Sequence, residues 1–547
     1  MLFKLDVNGQ TQWVHQLVGT TATPKITIDS YDNVYLVCYN LFKFNSLGQI
    51  LWTYQPTTFG NVHLAVDLKG TSYISFDTGI LLVNTYGSIQ AVSTDSALHS
   101  GPIGVDPDDN IYIMSTPEYI YKVASILESR PRISIDQSAN LYYTYYTTNT
   151  DPYHTGLDIV VVKKNDQGTT IWTLQEPIFN TVKRNLNPSL VVSGNYCYVV
   201  YQTSGTVSGG QLSFPYDLVV FKIDTDGHLI WIKQQPTFNT TRSDEFPAIE
   251  TDTANNIYIA YQTYGFIHDG YRTAMKTMTD VAIFKMDSDG NVLWTIQNSA
   301  YNTYRSSYNP RIKCDNINQC LYISTTSDGR VTGQDFSGVS DITLIKLDLN
   351  GHILTTSGGQ PWIIQQPTFN TTAGDDNSVL CLDQTGNIYL CYNTNGGAVS
   401  GQFNIGGYDL ILCKFDSDGN VIFVTQNIFI NTIKDDIYPS MTYHNGSIYL
   451  TYQTNGAVIG SNNTGKFDIV VAKIDATTFN LIWIQQNSNF NTDENETNPD
   501  IVTDSQGNCY IAYETKGIFS TIPLGNITQA VIVCQLHNDG SFGWIAK

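Results

Sequence analysis

The chain predicts an all-β protein, a β-propeller built from four-stranded antiparallel blades. Three observations predict it. A unit recurs from Asp158, Asp217, Asp280, Asp341, Asp409 and Asp468. A large aromatic holds one slot in successive units, at Trp172, Trp231, Trp294, Trp362, Phe423, Trp483 and Trp544, with spacings of 59, 63, 68, 61, 60 and 61 residues. Each unit holds short β-rich runs divided by turn residues. A sheet that small does not stand alone and must stack on copies of itself, and a fixed period of four strands indicates a radial ring.

The copy from Asp217 to Gly265 shows why each element forms. Leu218, Val220 and Ile223 stand in a run of alternating, mostly β-branched residues, which reads as a strand. Asp224-Thr225-Asp226-Gly227 turns the chain, since Asp bonds its own backbone at a turn start and Gly takes the positive φ that follows. A second strand carries Trp231, a third runs from Pro247 to Asp252, Asn255-Asn256 turns again, and Ile257 to Thr263 is the fourth. The large aromatic is expected to fill the space between neighbouring sheets.

Residues 1–124 carry about three shorter units without long loops, so Trp13 and Trp52 are only 39 residues apart. The pattern breaks at Tyr119 to Arg132, which has a first strand but neither the Gly turn nor the Trp strand. Two domains are therefore expected. Residues 1–124 form short-repeat blades, and 131–547 form a seven-bladed propeller. In that propeller Arg132–Thr147 and the terminal AVIVCQLHNDGSFGWIAK would join as half-blades to close the ring. The rival count is one ring of about ten blades using the whole chain.

Composition excludes several partners. The net charge is −21 with only 14% charged residues, and no Lys/Arg cluster is present to neutralise phosphates, which argues against nucleic acid and anionic membranes. No apolar run is long enough to span a bilayer. The opening MLFKLDVNG reads as a strand and turn rather than a signal peptide. Most of the nine cysteines sit in strand runs as small hydrophobes; Cys314 and Cys320 flank one tight turn and could face each other.

From Asp158 onward, each unit leaves through a long Gly/Ser-rich loop, such as SGTVSGGQLSFPYD or GGAVSGQFNIGGYD. Meander logic puts these loops on one face, where binding usually resides. The DTDG and DSDG turns on the opposite face are near-constant and read as structural, because neither has the later bidentate Glu of a calcium loop. After the recurrent Phe-Asn-Thr element come acidic pairs, Asp244-Glu245, Asp375-Asp376, Asp435-Asp436 and Asp493-Glu494. The first three pairs are the candidate metal ligands, with calcium as the candidate ion. The blander reading is that they bond loop backbone, with the Phe pinning the loop. GSNNTGKF (Gly460 to Phe467) lacks the Ser/Thr and the helix of a phosphate loop, His228 and His352 occupy an exposed turn slot, and no nucleophile motif occurs. No catalytic or cofactor-binding residues are assigned. The sequons at Asn239, Asn370, Asn445, Asn462, Asn495 and Asn526 suit an Asn/Thr-rich chain and do not establish secretion.

The pattern D-x-x-V-x-K-x-D-x-x-G-x-x-x-W, followed by an acidic loop and D-x-x-x-N-x-Y, resembles the bacterial β-propeller repeat called SBBP. DIVVVKKNDQGTTIW, DLVVFKIDTDGHLIW and DVAIFKMDSDGNVLW carry it. The resemblance is strong from Asp158 onward and weak in the first 124 residues. It implies a propeller, a surface or secreted setting and no defined activity. The hairpins are loosely similar to quinoprotein-type propeller repeats, but the vicinal cysteines and cofactor-ring residues of those enzymes are missing, so no quinone is carried over.

The expectation is a non-enzymatic structural or interaction protein on a virion, particle or cell surface, associating with protein partners or with itself into a fibre. One alternative is a glycan- or protein-binding module using the long-loop face. The other is a hydrolase or lyase with a site at the ring centre, placed last because similar units leave no odd residue cluster.

Overall fold

A computed structural model describes residues 126–547 apart from 149–155, 213–214, 268–277, 397–398, 400–401, 427–428, 518 and 520–526. Before residue 126 it describes 2–5, 11–15, 25–28, 33–37, 41–54, 63–66, 72–76, 79–83, 89–93, 103–105, 111–115 and 119–123. Among these residues every regular element is a strand. The chain divides into two compact units, Met1–Leu127 with Pro523–Thr528, and Glu128–Ile522 with Gln529–Lys547. In the first, four-stranded antiparallel sheets run from Lys25 to Tyr54 and from His63 to Ser93, beside a hairpin from Leu2 to His15 and a three-stranded sheet from Ile103 to Val123.

From Ile126 onward the described strands form seven consecutive antiparallel meanders of four strands, five as separate sheets and the first and last joined in one eight-stranded sheet by the pairing of Ile126–Ile135 with Ile527–Leu536. Blade 1 is Ile126–Leu174, blade 2 Asn185–Lys233, blade 3 Asp244–Ile296, blade 4 Ser307–Ile364, blade 5 Asp375–Thr425, blade 6 Asp436–Gln485 and blade 7 Glu496–Ala546. The first strand of each blade lines the axis, and the aromatic slot lies on the fourth, outer strand, or in blade 4 just before it at Trp362. Blades therefore begin half a unit later than the sequence reading placed them. The expected joining of the two terminal segments holds in part: strand Ile126–Ile135 pairs with strand Ile527–Leu536 in one sheet, but each also belongs to a full four-stranded meander, so neither segment is a half-blade. A period has no origin of its own. Hydrogen bonding runs on through the long loop, while the Phe-Asn-Thr connection crosses to the next blade.

Each aromatic slot staples one blade to the next. The indole N–H of Trp172, Trp231, Trp294, Trp362 and Trp483 donates to the carbonyl of Thr225, Ser288, Leu349, Ser417 and Asn538 in the following blade's turn, at 3.0–3.2 Å. Trp544 makes the same bond back to Asp166 O of blade 1 at 2.8 Å and closes the ring. The motif lysine joins in: Lys163 and Lys222 lie over the Tyr142 and Tyr198 rings and donate to the same Thr225 and Ser288 carbonyls. The turn glycine is required twice over. Gly290 has φ +83, and a Cβ there would lie 3.1 Å from the Trp231 ring. Trp362 is buried, the other tryptophans of the slot are half-buried, and Phe423, which stacks on Phe479, is the most open.

The Phe-Asn-Thr element is explained residue by residue. The outer strand Leu229–Lys233 covers its neighbour only from Val220 to Ile223, so the backbone of Leu218 is left open. Asn239 fills the gap: its Oδ1 accepts from Leu218 N–H at 2.7 Å and its Nδ2 donates to Leu218 O at 2.9 Å. Asn180, Asn302, Asn370, Asn431 and Asn491 do the same for Ile159, Val281, Ile342, Leu410 and Ile469. Phe238 stacks on Phe284 at 4.7 Å in a core shared by blades 2 and 3. Cys314 and Cys320 are both free.

Candidate functional site

All seven axial strands contribute to one cavity of about 230 Å³ within the second unit. Its wall is built from a bulge repeated in every blade. The register slips between Glu245 and Ala248 in blade 3 and at the matching place in the others. At the bulge a non-glycine residue takes left-handed φ of 50–55°: Arg130, Asn187, Phe246, Asn309, Asn377, Tyr438 and Asn498. In six of the seven blades proline follows, and in blade 5 it is Ser378. This collar lies toward the rim of the long loops, because Asp244 pairs with Thr263, from which the blade 3 loop departs, and Thr251 pairs with Ile257 at the other rim.

Beyond the collar, alternate residues of each strand face the axis. The second residue after the bulge is Arg132, Ser189, Ala248, Arg311, Val379, Ser440 and Asp500 in blades 1 to 7, and two residues deeper stand Ser134, Val191, Glu250, Lys313, Cys381, Thr442 and Val502. Five charged side chains thus converge from four blades. Asp500 accepts from Ile133 N–H at 2.9 Å and from Ser440 Oγ at 2.7 Å. Glu250 and Lys313 form an ion pair between blades 3 and 4. Arg132 and Arg311 each donate through Nη1 to the carbonyl of the preceding proline, at 3.2 and 3.0 Å. Burial pushes the Arg311 guanidinium below the usual arginine range. Arg132 and Arg130, across the ring, add to this and Asp500 opposes it. Burial works against the Lys313 ammonium as well, but the Glu250 carboxylate outweighs it and raises the lysine. Burial pushes the Cys381 thiol up to about 12, which leaves it a poor nucleophile.

The residues singled out from sequence lie elsewhere. Asp244, Asp375 and Asp436 are fully buried, each in its own blade, and accept from the backbone N–H and hydroxyl of Thr240, Thr371 and Thr432. Asp376 accepts from Thr326 Oγ1 at 3.0 Å and Asn377 N–H at 2.8 Å, and Asp435 from Tyr408 N–H at 3.2 Å. Glu245 is half-buried beside the blade 3 bulge, and burial raises its carboxyl. These carboxylates pin loops within a blade or, as Asp376 does with Thr326, tie one blade to the next, and are not gathered around one point. Among the described residues one trio, Asp224, Asp226 and His228, brings ligand atoms within 4.8 Å, and it is the turn itself: Asp224 already bonds His228 at 3.0 Å. The axial residues were missed because they are the variable positions of the repeat. The one available signal was that the two residues facing the axis change identity in every unit while their neighbours stay apolar.

No protein-family model matches the chain, and no curated protein is similar to it in sequence. Solved structures do resemble it. The NanB sialidase of Streptococcus pneumoniae matches at 9% identity over 92% of this chain and 88% of its own, with a TM-score of 0.40. A Trypanosoma rangeli sialidase matches at 14% identity over 66% of this chain, which spans 56% of that protein, with a TM-score of 0.37. The polysaccharide lyase Uly1 matches at 11% identity over 78% of this chain and 94% of its own, with a TM-score of 0.46. At such identity the likeness bears on the all-β propeller fold alone. The expectation of a non-enzymatic structural or fibre-forming protein stands against these neighbours, which are sialidases and a polysaccharide lyase. The ground for placing catalysis last fails: the units do leave an odd cluster, at the axis.

Proposed function

We propose that the second unit is a carbohydrate-acting enzyme, a hydrolase or a lyase, with its site in the axial cavity and an anionic sugar as its substrate. The convergence of Arg132, Arg311, Lys313, Glu250 and Asp500 on one cavity carries the reading. Apart from the bonds to Pro131 and Pro310, the guanidiniums of Arg132 and Arg311 make no hydrogen bond among the described residues, so their remaining donors are open to a ligand. Planar forks of this kind suit a carboxylate or sulfate. This patch is basic in a chain of net charge −21, which favours an anion there over the rest of the surface. Cleaving a glycosidic bond by water or by elimination needs a proton carrier within reach of the bond. The Glu250–Lys313 pair and Asp500 are the carriers this cavity offers. A volume of about 230 Å³ is below that of drug-sized pockets and suits one sugar unit. A polymeric anionic substrate also fits a secreted or surface setting, and among the described residues no helix is long and apolar enough to cross a membrane.

The test is a turnover screen on sialyllactose, polyglucuronate and polygalacturonate, reading released reducing ends and unsaturated uronate. Turnover of one of them, lost in Arg311→Met and in Glu250→Gln with the fold intact, is expected. No turnover and no binding across the set would refute the reading.

A further inference from the structure

The collar at the cavity mouth divides into two kinds of residue. At four positions it is asparagine, the non-glycine residue that takes left-handed backbone most readily. Three of those asparagines bond well within their ring of partners: Asn187 Nδ2 donates to Gln202 Oε1 at 2.8 Å, Asn377 Nδ2 to Asn393 Oδ1 at 3.1 Å and Asn498 Nδ2 to Glu514 Oε1 at 2.9 Å. At the other three positions Arg130, Phe246 and Tyr438 take the same strained φ without that amide. Nothing in the bulge requires a large side chain there. The glutamines that would receive an amide, Gln262 and Gln453, are in place on the neighbouring strands of blades 3 and 6, each with one lone pair used by the next blade's N–H.

Two of these side chains, Arg130 and Tyr438, are exposed, and Phe246 is half-buried. Tyr438 is 44% exposed and lines the cavity. Arg130 is exposed, and its guanidinium lies over the Phe246 ring at 5.2 Å, spanning the position of Asn187. One edge of the collar thus carries a half-buried aromatic ring with an exposed cation over it, and blade 6 carries an exposed aromatic.

We propose that Tyr438, Phe246 and Arg130 form an outer subsite, holding by stacking and charge the sugar unit next to the one in the cavity, and so set specificity for a chain over a single sugar. The inference rests on the reading of the axial cavity as an anionic-sugar site. A cavity of about 230 Å³ takes one unit, so the rest of the chain must pass over the collar. The flat C–H face of a pyranose matches an aromatic face, and Arg130 adds a fork for the next anionic group.

The collar supplies its own test variants, Tyr438→Asn and Phe246→Asn, which install the residue that four blades already carry. Binding of glucuronate against a polyglucuronate hexasaccharide, and of N-acetylneuraminate against sialyllactose, is measured by calorimetry beside Tm. The expected result is an unchanged or raised Tm and about tenfold weaker binding of the longer ligand in both variants, with unchanged binding of the single sugar in Phe246→Asn, which lies outside the cavity lining. Arg311→Met loses both. The inference is overturned if the variants lower Tm while sparing the longer ligand, if Phe246→Asn weakens both ligands equally, or if the wild type binds the longer ligand no better than the single sugar. If the wild type binds none of the four, the cavity reading falls and this inference falls with it; Arg311-dependent binding of a single sugar alone overturns only the outer subsite.

Discussion

Asn239→Ala tests the side-chain clamp at the start of the third strand, a feature of blades 1 to 6. Asn239 is buried and bonds both backbone groups of Leu218, at 2.7 and 2.9 Å. The alanine leaves a buried N–H and a buried C=O without partners, at about 1–3 kcal/mol each, or about 2–6 kcal/mol together. In a unit of this size each kcal/mol lowers Tm by roughly 1 °C, from the entropy of unfolding per residue. Urea unfolding followed by tryptophan fluorescence gives the same loss as a midpoint shift. Asn462→Ala is the control, since Asn462 is exposed. Asn239→Asp is at least as damaging, because it keeps the acceptor for Leu218 N–H but turns a second acceptor toward Leu218 O. If Asn239→Ala moves the midpoint no more than Asn462→Ala, the clamp is not what completes the strand edge.

Stability should fall as pH rises from 5 to 8. Burial raises Asp341 to about 6 and Asp375, Asp436 and Glu496 to about 7. Unfolded values are about 4, so the folded state binds more protons, and the stability this gives is complete below about pH 4 and lost as pH climbs through 6–7. The turn carboxyls Asp224, Asp287 and Asp348 are shifted down, and their contribution changes only below that window. Asp375→Asn should flatten the profile, and a Tm that rises over this range contradicts it. Trp231→Phe should cost only about 0.5–1.5 kcal/mol, the bond to Ser288 O, because the slot already accepts Phe423 in blade 5. A larger loss on chemical denaturation would mean that the six-membered ring alone cannot fill the slot. In a glycosylating host, Asn239 and Asn370 should stay bare in folded protein, being 4% and 2% exposed, while Asn462 is open to modification; peptide mass mapping decides it.

Much of the scaffold was legible in the sequence. The recurrent β-rich runs, the Asp-Gly turns and the aromatic slot depend on neighbours within a few residues, so local chemistry writes them into every copy. The function of Phe-Asn-Thr was only half legible. Its aromatic was foreseen, but the Asn clamp bonds a backbone 21 residues away, which spacing does not reveal. The acidic pairs looked like a shared charge ring because they recur in the same slot of the repeat; in space the buried members Asp244, Asp375 and Asp436 are each consumed by the threonine four residues before them.

The sequence by itself determined that the chain is all-β, repeats a four-strand unit and stacks those units. It did not determine where a unit begins, because periodicity is unchanged by a shift of origin; hydrogen bonding between strands chose the blade, and Trp544 bonding Asp166 closed the ring. Nor did it mark the axial cavity. Arg132, Glu250, Arg311, Lys313 and Asp500 are scattered over 369 positions as the odd members of their repeats. Only the tertiary ring, which turns one strand of every blade to a common axis, makes neighbours of them.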